Sequence, residues 1–207
     1  MVRAPRDRAR HARGSRCGVS GQTSEWYTRP KYIEAARLVM GQIDLDPASC
    51  SAANEIVKAT HYYTREQNGL LLPWHGRVWL NPPYGRSAKM QGLHQSAIGA
   101  FIRRLLTCYA AGDVTEAIAL VTTEVNAKWF YPLWQFTICI PDHRVNFIVP
   151  VQQRNKYSQM FGTCFVYLGP HEERFAEVFS QFGRIVKAID IPKAKPVTSE
   201  LWLEVAG

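Results

Sequence analysis

The chain has 207 residues, 25 lysines and arginines against 17 acids, a net charge of +8, and a 46% hydrophobic content. That balance excludes a disordered, collagenous or disulfide-scaffold protein, and no apolar run approaches the roughly 20 residues of a membrane span. A basic globular chain of this size fits one domain with a polyanionic partner, nucleic acid before others.

The charge is uneven. Residues 1–20 hold Arg3, Arg6, Arg8, Arg10, Arg13 and Arg16 against Asp7 alone, which is +5 of the +8. Residues 1–22 therefore read as a basic disordered arm, and residues 23–207 as a single domain. The arm has no apolar stretch of the secretory kind. It is either a phosphate-contacting tail or a dispensable extension.

After the arm, residues 31–40 read as a helix. Pro30 lies in its first turn, Ile33, Ala36 and Val39 or Met40 share a face, and Gly41 stops it. Residues 43–46 form a short buried strand ending in acids, and 51–59 a helix. Residues 77–80 are a strand halted by Asn81-Pro82-Pro83. Residues 96–111 place Ile98, Phe101, Ile102 and Leu105 at helical spacing. Residues 117–122 are a continuous apolar strand, as in a parallel sheet covered on both faces. A helix is expected over 127–133, strands over 136–140, 145–149 and 163–168, and a helix over 172–182. The alternation predicts an open α/β sheet, mostly parallel, with an antiparallel hairpin at its C-terminal edge.

The five cysteines are odd in number and widely spaced. They show no zinc-like pattern, so reduced thiols in the cytoplasm are expected and no metal is. No phosphate-binding GxxxxGK[ST] loop and no paired-acid cluster appear, against an ATPase or a nuclease.

Ligands of such sheets bind at the carboxyl ends of the strands. Two strand ends carry chemistry: Asp44-Leu45-Asp46-Pro47 and Asn81-Pro82-Pro83-Tyr84. In the second, the prolines fix φ and lack N–H groups, so the segment is stiff and its carbonyls are free to accept. Asn81 adds a side-chain acceptor and Tyr84 an aromatic face. That set suits a planar amino group on a ring. Its lone pair is delocalised, and two acceptors on its two hydrogens favour a pyramidal, more nucleophilic nitrogen.

The tetrad resembles the Asn/Asp-Pro-Pro-Tyr motif of S-adenosylmethionine-dependent amino methyltransferases. Several segments together resemble phage-type (Dam-like) DNA N6-adenine methyltransferases. These are Glu25-Trp26-Tyr27-Thr28 with Pro30, residues 43–48, Asn68-Gly69-Leu70 with Trp74, residues 78–85, Trp129-Phe130 and residues 165–169. The resemblance spans roughly residues 24–185. It implies a Rossmann-like methyltransferase fold and transfer of a methyl group from S-adenosylmethionine to adenine N6 in double-stranded DNA. It also implies a phage- or prophage-encoded enzyme, as of restriction–modification systems, working in the bacterial cytoplasm, and the chain's small size permits a monomer. The tetrad by itself also fits cytosine N4, RNA adenine or protein glutamine as acceptor, or a DNA-binding relative without activity.

By this resemblance, Asn81 and the carbonyl of Pro82, stiffened by Pro83, bind the target amino group, and Tyr84 stacks on a base taken out of the helix. Trp26, Tyr27, Thr28, Asp44, Asp46, Pro47 and Asn68 fall on the cofactor side. The glycine-rich loop common among methyltransferases is absent there. One acid of Asp44 and Asp46 is expected to cap the following helix and the other, Asp46 by preference, to face the cofactor. Asn68 either accepts from the cofactor adenine or simply makes an Asn-Gly turn. DNA contacts are expected from two polar stretches. One holds Arg86, Lys89, Gln91, His94 and Gln95, and the other Gln152, Gln153, Arg154, Asn155 and Lys156.

Overall fold

A computed structural model describes residues 26–84, 96–148 and 162–189. The predicted arm, residues 1–22, lies outside the described residues. Along the chain the elements are α1 (Pro30–Met40), β1 (Leu45–Asp46), α2 (Ser51–Val57), β2 (His61–Tyr62), β3 (Gly76–Leu80), α3 (Ala97–Ala110) and β4 (Val114–Thr122). A 3-10 turn (Tyr131–Gln135), β5 (Thr137–Pro141), β6 (Thr163–Leu168), α4 (Glu172–Phe179) and β7 (Gly183–Val186) follow.

Local signals set the helix ends. Pro30 opens α1, and Gly41 closes it at φ 82°, a conformation that favours glycine. Ser96 is the N-cap of α3, its hydroxyl accepting from the Gly99 N–H at 3.2 Å.

The strands make one seven-stranded sheet in the order β2-β1-β3-β4-β6-β5-β7. β2, β1, β3 and β4 are mutually parallel. β6 then runs antiparallel between β4 and β5, and β7 antiparallel to β5. The core is thus a mixed α/β arrangement consistent with a methyltransferase. The C-terminal edge is antiparallel but is not the expected hairpin. Consecutive β5 and β6 pair inside the sheet, and α4 returns the chain across one face to deliver β7 to the free edge of β5.

Two apolar layers sandwich the sheet. One joins Tyr32, Ile33, Trp79, Ile118, Leu120, Phe165, Phe175 and Phe179, and the other joins Val78, Leu80, Ile102, Leu105, Ala119, Val121 and Val166. Side chains of β4 alternate between the two layers, which is why its sequence is apolar from Ala117 to Val121. Each large side chain so buried stabilises the fold by about 1.5–3 kcal/mol. Cys108, Cys139 and Cys164 are free and buried, and burial pushes the Cys139 and Cys164 thiols up to about 12, leaving them inert.

Two expected elements differ. Residues 127–133 form turns and only the start of the 3-10 segment, with Pro132 in its first turn, because packing of Trp129, Phe130 and Trp134 governs the region. Residues 145–148 alternate as a strand should, with Val145 and Phe147 buried and Asn146 exposed. Yet their described pairing is one bridge, Ile148 with Tyr27. Both sides of β5 are already taken, by β6 and β7, so the segment crosses over the sheet instead of joining it. Among the described residues no helix is long and apolar enough to cross a membrane.

Candidate active site

Trp79 faces the α1 layer, so alternation returns Asn81, just past the end of β3, to that side. There the Asn81 Nδ2 donates to the Trp26 carbonyl at 3.2 Å and to Thr28 Oγ1 at 3.4 Å. These acceptors fix the amide's orientation. Its oxygen, Oδ1, is buried and has no hydrogen-bond partner among the described residues. A buried acceptor left so costs about 1–3 kcal/mol. Pro82 is buried beside it and Pro83 exposed.

Tyr84 is anchored by its hydroxyl, which donates to the Leu120 carbonyl at 3.0 Å. Burial pushes that hydroxyl's pKa up, and the nearby Cys164 thiol adds to the rise. Phe147 stands edge-on to Tyr84 at 6.3 Å between ring centroids and edge-on to Trp26 at 5.8 Å. It completes an aromatic wall around Asn81. The sequence offered only Phe147's alternation with Val145, which predicts burial but not location.

The end of β1 supplies the second half. Asp46 is 3% exposed, and its Oδ1 accepts from the Ala48 N–H at 3.2 Å. Burial raises its pKa to about 7, against the opposing pull of the Ala48 backbone bond and the Ser49 side chain. Pro47 is braced by the turn at Asn68-Gly69: a Cβ at Gly69 would lie 2.0 Å from the Pro47 carbonyl oxygen, so only glycine permits the approach. The Asn68 Oδ1 accepts from the Leu70 N–H at 3.3 Å, and Trp74 Nε1 donates to the Gly69 carbonyl at 2.7 Å. Asn68 thus makes an Asx turn, at φ 54°, that leaves one lone pair of its oxygen over. Tyr27 exchanges backbone bonds with Ile148 and accepts from the Cys50 thiol at 3.8 Å.

Asp44 stands apart from this group. Its carboxylate accepts from the Arg77 N–H at 2.8 Å and from Arg77 Nε at 2.9 Å. Burial opposes its ionisation, but the Arg77 bonds prevail and hold it below the usual carboxylate range. Gly76, at the start of β3, touches it, which places Asp44 at the amino end of the strands. Neither acid caps α2, whose N-cap Cys50 makes no side-chain capping bond. Arg86, Lys89, Arg154 and Lys156, with the glutamines, histidine and asparagine around them, lie outside the described residues. Among the described residues no group of three or more His, Cys, Asp or Glu side chains could hold a metal ion.

An amide with a free oxygen, an anchored tyrosine and a buried acid thus meet at the carboxyl ends of parallel strands. The sequence model of the DNA N-6-adenine-methyltransferase (Dam) family matches residues 19–181, well over half of the chain. The chain belongs to this family. A Dam-family enzyme methylates adenine N6 in DNA, and the reaction class implies S-adenosylmethionine as donor. The match takes in the tetrad, both acids of the β1 turn and Phe147. No curated protein and no solved structure matches the chain.

Proposed function

We propose that Asn81, Pro82 and Tyr84 form the pocket for an adenine extruded from double-stranded DNA, with Phe147 as its second aromatic wall. The observation that carries this reading is the orphaned Asn81 oxygen: a buried acceptor held in place by its own amide nitrogen and awaiting an N–H. The adenine amino group supplies one, and the Pro82 carbonyl takes the other hydrogen. Unpairing the base costs a few kcal/mol, which such contacts offset.

The cofactor side consists of Trp26, Tyr27, Thr28, Asp46, Pro47 and Asn68. Asp44 is left to its ion pair. The donor set fits: Asp46, once ionised, offers acceptor oxygens for ribose hydroxyls or a cationic centre, and Asn68 keeps a lone pair for an amino group. S-adenosylmethionine, when bound, supplies the electrophilic sulfonium methyl. The protein's own work is positioning and electrostatics. Asn81 and Pro82 hold both hydrogens of the amino group, which localises the N6 lone pair for bond formation. They would also stabilise the positive charge that grows on nitrogen as it takes up the methyl group, until N6 gives up a proton.

Arg86, Lys89, Arg154 and Lys156 complete the reading as contacts to phosphates and base edges. A monomer of phage or prophage origin, acting as restriction–modification methylases do, is the setting we propose. The test is transfer of labelled methyl to adenine in duplex DNA by Asn81→Ala and Tyr84→Ala variants. Retained transfer in both would overturn the pocket assignment.

A further inference from the structure

Besides Asn81 Oδ1, the buried side-chain atoms without a hydrogen-bond partner include the hydroxyl of Thr163. Thr163 opens β6 and is 6% exposed. It sits directly across from Thr122, the last residue of β4. Directly opposed residues of an antiparallel pair share a face with Cβ atoms about 4.5–5.5 Å apart. By alternation that face is the one of Leu120 and Phe165, the layer against which Trp26, Phe147 and Tyr84 pack. Two residues back along β4, the Leu120 carbonyl anchors the Tyr84 hydroxyl.

The start of β6 is held firmly. The Thr123 N–H donates to the Gly162 carbonyl at 3.0 Å, and a Cβ at Gly162 would lie 2.7 Å from Thr123 Oγ1. The hydroxyl proton of Thr122 is committed to Glu124 Oε1 at 3.2 Å. Among the described residues, Thr163 therefore keeps both its proton and its lone pairs at the sheet's carboxyl end, on the face of Leu120 and Phe165. A strand-borne hydroxyl buried without a partner is destabilising unless a ligand uses it.

We propose that Thr163 reads the ring edge of the target adenine, its hydroxyl donating to a ring nitrogen while Asn81 accepts from the amino group. The assignment rests on the tetrad being the base pocket. An acceptor for the amino group plus a donor for a ring nitrogen is the pattern an adenine edge complements. Both atoms are closed off from solvent, so a base reaches them as a covering side chain yields. Phe147, packed between Trp26 and Tyr84, is best placed to do so.

The test is a cycle between protein and base. Thr163→Val deletes the hydroxyl at constant shape, and Thr163→Ser restores it. Each is assayed on duplexes whose target adenine is intact or replaced by 1-deazaadenine or 7-deazaadenine. The target site is read beforehand by sequencing methylated bases in DNA from cells expressing the protein. Thr163→Val is expected to lower kcat/KM on adenine about tenfold, one neutral hydrogen bond, with unchanged S-adenosylmethionine affinity and rescue by serine. On the analogue lacking the contacted nitrogen its penalty should vanish. An equal penalty on adenine and both analogues, or none on adenine, overturns the inference. Failure of the pocket reading itself would show separately, as transfer surviving Asn81→Ala.

Discussion

The two ends of the sheet each bury a carboxylate, and they treat it in opposite ways. Glu116, near the amino end of β4, is 4% exposed and accepts from the Tyr167 hydroxyl at 2.6 Å. His171 Nδ1 approaches the same oxygen at 3.1 Å, and the His171 N–H donates in turn to Tyr167 at 2.8 Å. Asp46, at the carboxyl end of β1, is 3% exposed and accepts from the Ala48 N–H at 3.2 Å, and the Ser49 side chain also favours its ionised form. At the amino end the buried carboxylate is satisfied. At the carboxyl end burial outweighs the bonds to Asp46, and the side-chain oxygens of Asn81 and Thr163 have no partner among the described residues. One end is built for stability, and the other stores unmet hydrogen bonds that a substrate and a cofactor can meet.

The sharpest break of this contrast is at Asn81. Asn81→Ala is expected to reduce methyl transfer by roughly a thousandfold or more, the scale of losing a preorganised charge-stabilising group. Its melting temperature should stay level or rise, because a buried unpaired acceptor disappears. A large fall in melting temperature would mean that the amide's bonds to Trp26 and Thr28 matter more than its free oxygen.

Asp46 follows. Its pKa moves from 3.8 in a solvated chain to about 7 in the fold, so the folded state holds the proton more tightly. Between those values unfolding releases protons, and stability falls as pH rises from about 4 to about 7. Asp46→Asn should therefore stabilise the fold at pH 8, by on the order of 2–4 kcal/mol in denaturant unfolding, and change it little at pH 4. The same variant should weaken S-adenosylmethionine at least tenfold at pH 8 by calorimetry. In the native enzyme that affinity should climb as pH rises through about 7. Affinity indifferent to both pH and the substitution would remove Asp46 from the cofactor site.

Glu116→Ala should behave in the reverse sense. Loss of a satisfied buried acceptor is expected to cost about 2–3 kcal/mol, or roughly 5–10 °C in melting temperature. The kcat of the folded fraction should hold. A changed kcat with unchanged stability would erase the distinction between the two ends. The smallest effect is expected from deleting residues 1–18, which precede the family match and carry six arginines. DNA affinity should fall, and its salt slope should flatten by about 0.9 for each phosphate that the arm had neutralised. An unaltered slope would make the arm electrostatically idle.

The sequence made the elements that form by local rules legible. α1 announced itself through Pro30 and Gly41 as well as through periodicity, α3 through periodicity, and β4 through its apolar run over residues 117–121. The tetrad was legible because two prolines between an amide and a tyrosine have few purely structural uses. Elements governed by distant packing were not. β2 has two residues, too few for a pattern, and β7 is a half-exposed edge strand. From the sequence Asp46 is preferred to Asp44 for the cofactor, but nothing local tells that Arg77, thirty-three positions away, claims Asp44. Phe147 and Thr163 gained their places from a crossing segment and a cross-strand register, neither of which periodicity can report.

The bridge between Tyr27 and Ile148 also governs the order in which the enzyme comes into being. Its two backbone bonds join positions 121 residues apart and tie down the segment whose carbonyl orients the Asn81 amide. Contacts that distant in sequence carry the largest loop-closure entropy and form late. During synthesis α1, β1, α2 and β3 can gather early, yet Asn81 has no finished surroundings until residue 148 has been made. Catalytic competence is thus among the last properties the folding chain acquires, and a nascent chain halted before β5 would hold the full tetrad without an active site around it.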